Sequence, residues 1–138
     1  MAAETLVPAD GEAAAVAELK ARLPALGFPG AGVASTILSP RPTEFVRVFR
    51  TGGAASDIAS DSVTLVVEAY SDKRSRAERL CSVAVAALQA AGRDGLVGSV
   101  PCRRVEVFSL PANLPDPNVT DRTRYTSTVS AVLRRTAA

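Results

Sequence analysis

Arginine has the widest chemical reach of any side chain type in this 138-residue chain. Arg103 and Arg104 are adjacent, Arg122 and Arg124 bracket one residue, Arg134 and Arg135 stand near the end, and Arg47 and Arg50 fall in the run FVRVFR. A guanidinium presents a planar fork of donors that fits phosphate or carboxylate oxygens, so these residues are candidates for polyanion or protein contacts. Charge balance weighs between the two. Sixteen basic and fourteen acidic side chains leave a formal charge of +2, far below that of a dedicated nucleic-acid binder. Few aromatics interleave with the arginines, so the stacking platforms of single-strand binders are missing. Solvated faces or protein interfaces, where Arg is enriched, are the better reading.

No histidine is present, which excludes Ser-His-Asp triads and imidazole acid–base catalysis. Cys81 and Cys102 lack CxxC spacing, and two thiolates without imidazole cannot close a zinc shell. Both read as buried free thiols, which suits a reducing compartment. The acids are scattered along the sequence, with Asp57 and Asp61 in a small polar segment, Glu68 in an apolar run and Asp116 and Asp121 among prolines. They read as solvated surface. Gly52-Gly53 and Gly27-x-x-Gly30 match neither a dinucleotide fingerprint nor a P-loop and read as turns. No catalytic residue, metal site or cofactor is expected.

These residues need elements to hold them, and the chain length fits one domain spanning 1–138. A thin core of Val, Leu and Ala is expected, because only six residues are aromatic. The acidic N-terminal stretch lacks the pattern of a secretory signal, and no apolar run approaches a membrane span. Residues 1–10 read as a flexible N-terminus. Val16, Leu19, Leu23 and Leu26 repeat at helical spacing, with Asp10 as N-cap and the helix ending near Arg22 to Leu23, before Pro24.

Val33 to Leu38 is β-like, and Phe45 to Arg50 is a strand with apolar side chains on both faces, one of which is expected to meet another layer or subunit. TGGAASDIASDS, residues 51–62, reads as a long hairpin tip. Val63 to Tyr70 alternates cleanly as a strand. A second helix begins in SDKRSRAE, where Ser75 and Glu78 have capping-box spacing, and Gly92 stands as its C-cap. Residues 99–110 form a strand that Pro101 directs to an edge or a bulge. PANLPDPNVTDRTR, residues 111–124, is a loop, and a strand follows from about Arg124 to Arg135. The order α-β-β-β-α-β-β predicts an α+β domain in which a mostly antiparallel sheet is covered on one face by two helices.

TEFVRVFRTGG (43–53), VTLVVEAYS (63–71) and the helix AERLCSVAVAAL resemble the middle of tail terminator proteins of long, non-contractile-tailed bacteriophages. The closing pattern agrees, with a strand leading to a P-x-x-x-PDP loop (Pro111, Pro115, Asp116, Pro117), then Arg124-Tyr125, and a last strand ending at Arg134. The similarity runs over roughly residues 12–135. Residues 51–62 depart from it in having no proline or arginine after Gly53.

The resemblance implies a structural virion protein, made in the host bacterial cytoplasm and placed at the head–tail junction. It would form a homo-oligomeric ring, usually a hexamer, that caps the tail tube, stops its growth and meets a head-side connector or stopper. Its partners would be itself, the major tail tube protein and that connector, with DNA passing through the lumen without sequence-specific binding and no membrane involved. Arg47, Arg50, Arg103, Arg104, Asp116, Arg122, Arg124 and Tyr125 are the candidate interface residues, and loops 51–62 and 111–124 the candidate contact loops. Another head–tail joining subunit and a cytosolic ligand-binding α+β domain that dimerises through its sheet remain as alternatives.

Overall fold

A computed structural model describes residues 2–138. The strands are β1 (Leu6–Val7), β2 (Gly32–Ala34), β3 (Glu44–Ala55), β4 (Ser60–Ser71), β5 (Leu96–Val97), β6 (Val100–Asn113), β7 (Thr123–Arg134) and β8 (Thr136–Ala137). The helices are α1 (Gly11–Arg22) and α2 (Arg74–Asp94). Six strands form one sheet in the order β2-β3-β4-β7-β6-β5; β2 lies parallel to β3 and every other neighbour is antiparallel. The sheet curls and both helices pack on one face, α1 over β2 and β3, α2 over β4, β7 and β6. This is the α+β single domain that the order of elements predicts.

The core lies between that face and the helices. Val46, Val48, Leu65, Val67 and Val129 alternate inward from the three central strands and meet Leu19, Leu80, Ala84 and Leu88. Asp10 caps α1 by accepting from the Ala13 N–H at 3.0 Å, as its position suggests. Cys81 and Cys102 are buried free thiols, and burial pushes the Cys81 thiol up to about 12.

Several boundaries differ from the sequence reading. Residues 51–62 are not a long tip, because β3 runs on to Ala55, β4 begins at Ser60, and only 56–59 turn. Gly52-Gly53 signal a bulge within the strand; a Cβ on Gly53 would strike the Ser62 carbonyl, so only glycine lets the chains stay paired there. The 111–124 loop shortens to 114–122, because β6 persists to Asn113 through three register shifts.

Gly92 is not the C-cap of α2; Gly95 is, with φ 92°. Gly92 instead marks the closest approach of α2 to β6, where a Cβ would sit 2.9 Å from the Val105 nitrogen. The Ser75–Glu78 capping box is absent: both residues lie inside the helix, which starts at Arg74, and the Ser71 hydroxyl accepts from the Lys73 N–H. Within the N-terminal stretch Leu6–Val7 is not free but pairs with Thr136–Ala137; Met1 lies outside the described residues.

The face of the sheet away from the helices is partly apolar. Phe45 stacks on Tyr70, ring centroids 4.5 Å apart, and Val119, Ile37 and Leu38 close over them. The second apolar face of the FVRVFR strand is therefore covered, near Phe45, by the chain's own loops.

Candidate functional site

On this open face, β3, β4 and β7 set Arg47, Glu68 and Arg124 side by side, because residues opposite one another or diagonal in an antiparallel ladder share a face. Glu68 is 4% exposed. It accepts from Arg124 Nη1 at 2.7 Å and from Arg47 Nη1 at 3.3 Å. The Tyr70 hydroxyl lies 2.9 Å from an Asp116 oxygen and 3.1 Å from a Glu68 oxygen, so its single proton is shared between the two carboxylates. Arg124 also donates to the Leu114 carbonyl at 2.6 Å, so the proline-rich loop is tied directly to the sheet. Arg122 anchors a second loop through the Pro42 carbonyl at 3.1 Å.

The electrostatics argue for a fixed structural cluster. Burial, with the neighbouring carboxylates, drives the Tyr70 hydroxyl well above its ordinary value. At Asp116 burial opposes ionisation, but the Asn118 N–H, the Tyr70 hydroxyl and Arg124 together outweigh it and hold the carboxyl below its usual range. A general acid or base works best near the operating pH, and both groups are displaced away from it. Arg47 Nε and Thr126 Oγ1 are buried here without a hydrogen-bond partner. Arg47 compensates in part by lying over the Phe49 ring, 4.4 Å from its centroid.

The outer strand β6 forms a second feature. Beyond Pro101 its free side pairs with no strand, since β5 covers only Val100–Pro101. Register shifts at Val107/Ser109 and Ser109/Ala112 leave Phe108 and Leu110 out of the ladder, and they are 62% and 79% exposed. Bulges re-aim side chains in this way. Leu114, just after the strand, is also exposed.

At the opposite end of the sheet from loop 114–122, the 56–59 turn carries Ile58, which is almost fully exposed. Asp61, placed by the sequence reading in solvated surface, is instead buried and takes two nitrogens of Arg135 at 2.8–3.1 Å. Glu68 is likewise buried rather than solvated. Each is buried because a guanidinium meets it.

The candidate residues separate accordingly. Arg47, Asp116 and Arg124 come together, with Arg122 close by. Arg103 is exposed, 3.7 Å from Asp57 at the turn, and Arg104 pairs with Glu106 at 2.6 Å on the edge strand. Arg50 is exposed, its N–H donating to Glu12. Tyr125 is corrected: strand alternation turns it from Arg124 to the helical side, where it is buried and its hydroxyl accepts from Arg74 Nε at 3.0 Å.

Glu68 and Tyr70 were missed, although an acid and a tyrosine two apart in an apolar strand share one face, a readable signal. Phe108, Leu110 and an apolar groove on the outer side of α2, lined by Leu26, Val83, Ala86, Ala87 and Ala90, were also missed. Among the described residues no helix is long and apolar enough to cross a membrane, and no three His, Cys, Asp or Glu side chains cluster to hold a metal.

No family model matches the chain, and no curated protein matches it in sequence. Its fold is similar to that of a chain from the virion of a native gene transfer agent (GTA) particle. The TM-score is 0.65, with 17% identity, over 90% of this chain and 94% of that one.

Proposed function

We propose that the chain is a structural, non-enzymatic component of a phage-like virion, and within it the subunit of a ring that caps the tail tube. The observation that carries the first part is the likeness of fold, over nearly the whole of both chains, to a protein of a gene transfer agent virion. The closing pattern from Pro111 to Arg134 supports the narrower role. In this reading the ring ends growth of the tube protein on one face, meets a head-side connector or stopper on the other, and lets DNA pass without reading its sequence.

The geometry supports a subunit with two working ends. Strands of twelve residues in β3, β4 and β7, at about 3.3 Å per residue, separate the 56–59 turn from loop 114–122 by roughly 40 Å. The two ends therefore have room to meet different neighbours. Between them Arg47, Glu68 and Arg124 are tied to one another, as a rigid spacer requires.

The test is growth of purified tail tube protein with and without this chain. Tubes of arrested length, carrying a ring of the chain at one end in negative stain, are expected. Unaltered tube growth, with the chain a dimer that saturates with a small ligand, would sink the reading.

A further inference from the structure

Two surfaces of the domain lack a covering. On the free edge of β6, Phe108 and Leu110 project from consecutive bulges, 62% and 79% exposed. On the outer side of the helical layer, Leu26, Val83, Ala86 and Ala90 line an apolar groove of about 470 Å³. That volume lies in the range of about 300–1,000 Å³ that encloses small organic ligands, so the groove has room for a phenyl and an isobutyl group.

We propose that Phe108 and Leu110 of one copy seat in the α2 groove of a second copy, joining identical chains head to tail. This deepens the ring reading above and rests on it. Charge agrees with the apolar match. Arg79 and Arg22 stand at the groove; Arg22 is already paired with Glu18 and Asp94, and exposed Arg79, which makes no hydrogen bond or ion pair among the described residues, supplies the free positive charge. Glu106, two residues before Phe108, places a negative charge on the knob's flank, opposite in sign to Arg79. It shares Arg104 at 2.6 Å on an exposed edge, a pairing weak enough to be exchanged.

The ring reading requires the contact to run one way, so that each copy gives its knob to one neighbour and its groove to the other, and the series ends when the rotation closes a ring. Two copies exchanging knobs about a two-fold would stop at a dimer, and a wild type found as a dimer overturns the head-to-tail pairing. The bulges also interrupt the regular ladder of donors and acceptors on the free edge. Side chains, rather than indiscriminate strand pairing, then select the neighbour.

The experiment is light scattering on size-exclusion fractions of the full chain. The wild type is expected as a closed oligomer. Phe108→Ser/Leu110→Ser and Ala86→Glu variants, each with unchanged thermal unfolding, are expected as monomers. Mixed in equal amounts they should give a dimer, because one supplies an intact groove and the other an intact knob.

Glu106→Arg and Arg79→Glu provide a second route: each alone should weaken assembly at least tenfold, and together restore it. A ring that survives the knob and groove substitutions overturns the pairing while the ring reading stands, including the case in which only tube binding is lost. Monomeric variants that mix to no dimer also overturn it. A wild type that stays monomeric at every concentration defeats both.

Discussion

Arg124 Nη1 lies 2.7 Å from the buried carboxylate of Glu68, while Nε of the same guanidinium holds the Leu114 carbonyl at 2.6 Å. One side chain thus joins the middle of the sheet to the start of the proline-rich loop. Asp116 reinforces the tie from the loop side through Tyr70.

Glu68→Ala leaves the guanidinia of Arg124 and Arg47 without their shared carboxylate. Removing one partner of a buried pair costs about 3–5 kcal/mol, far more than an exposed ion pair contributes. A loss near the lower bound is expected, since both arginines keep some solvent. Urea titration measures it, and loop 114–122 should become the first site of limited proteolysis. Glu68→Ala/Arg124→Ala together should cost less than the sum of the two.

Acid should weaken the domain in part through Glu44. Arg76 donates to both of its oxygens at 2.8 Å and holds the carboxyl below its ordinary range. A carboxyl depressed in the folded state contributes stability above its unfolded pKa, and that contribution is lost as pH falls through the folded value. Urea midpoints should therefore fall between about pH 5 and pH 3. Arg76→Gln should lower the neutral-pH midpoint and flatten part of that slope; an identical slope in the variant would refute the assignment.

Gly92→Ala sets two effects against each other. Helix propensity favours Ala by about 1 kcal/mol. A Cβ 2.9 Å from the Val105 nitrogen must push β6 backbone, however, and overpacking costs about 1–3 kcal/mol. A net fall in Tm is expected, and a rise would show that α2 is free to shift.

Neither cysteine should react with iodoacetamide at mild alkaline pH in the native protein. Burial raises both thiols, Cys81 to about 12, and the thiolate is the nucleophile. Mass spectrometry should show both alkylated only after unfolding.

Ile58→Ser should change stability by less than about 0.5 kcal/mol, because the side chain is nearly all in solvent. Loss of tube or connector binding in that variant would assign the 56–59 turn to a contact between virion proteins. Val129→Asp, at a fully buried position of β7, should abolish folding.

The alternation of Val63, Leu65 and Val67 and the helical stripe of Leu80, Ala84 and Leu88 made the central strand and α2 legible, since periodicity depends only on which face is buried. Gly52-Gly53 and Gly92 misled because glycine signals a turn, a bulge and a close crossing alike, and only the neighbouring chain distinguishes them. β5 and β8 are two residues each and exist through their partners, so no local pattern announces them. At the site, Arg47, Asp116 and Arg124 stood among eight interface candidates with nothing in the sequence to group them, and Glu68, which joins the two arginines, read as surface because its counter-ions are 21 and 56 residues away.

The pairing of Leu6–Val7 with Thr136–Ala137 brings both described ends of the chain to one place. The Ala138 N–H donates to the Thr5 carbonyl, and the Arg135 N–H to Ala59 beside the hairpin turn. A fluorophore or gold particle fused at either terminus would therefore mark the same end of the subunit. The fold supplies its own compass for electron microscopy, with the labelled pole at Ile58 and the unlabelled one at the proline loop.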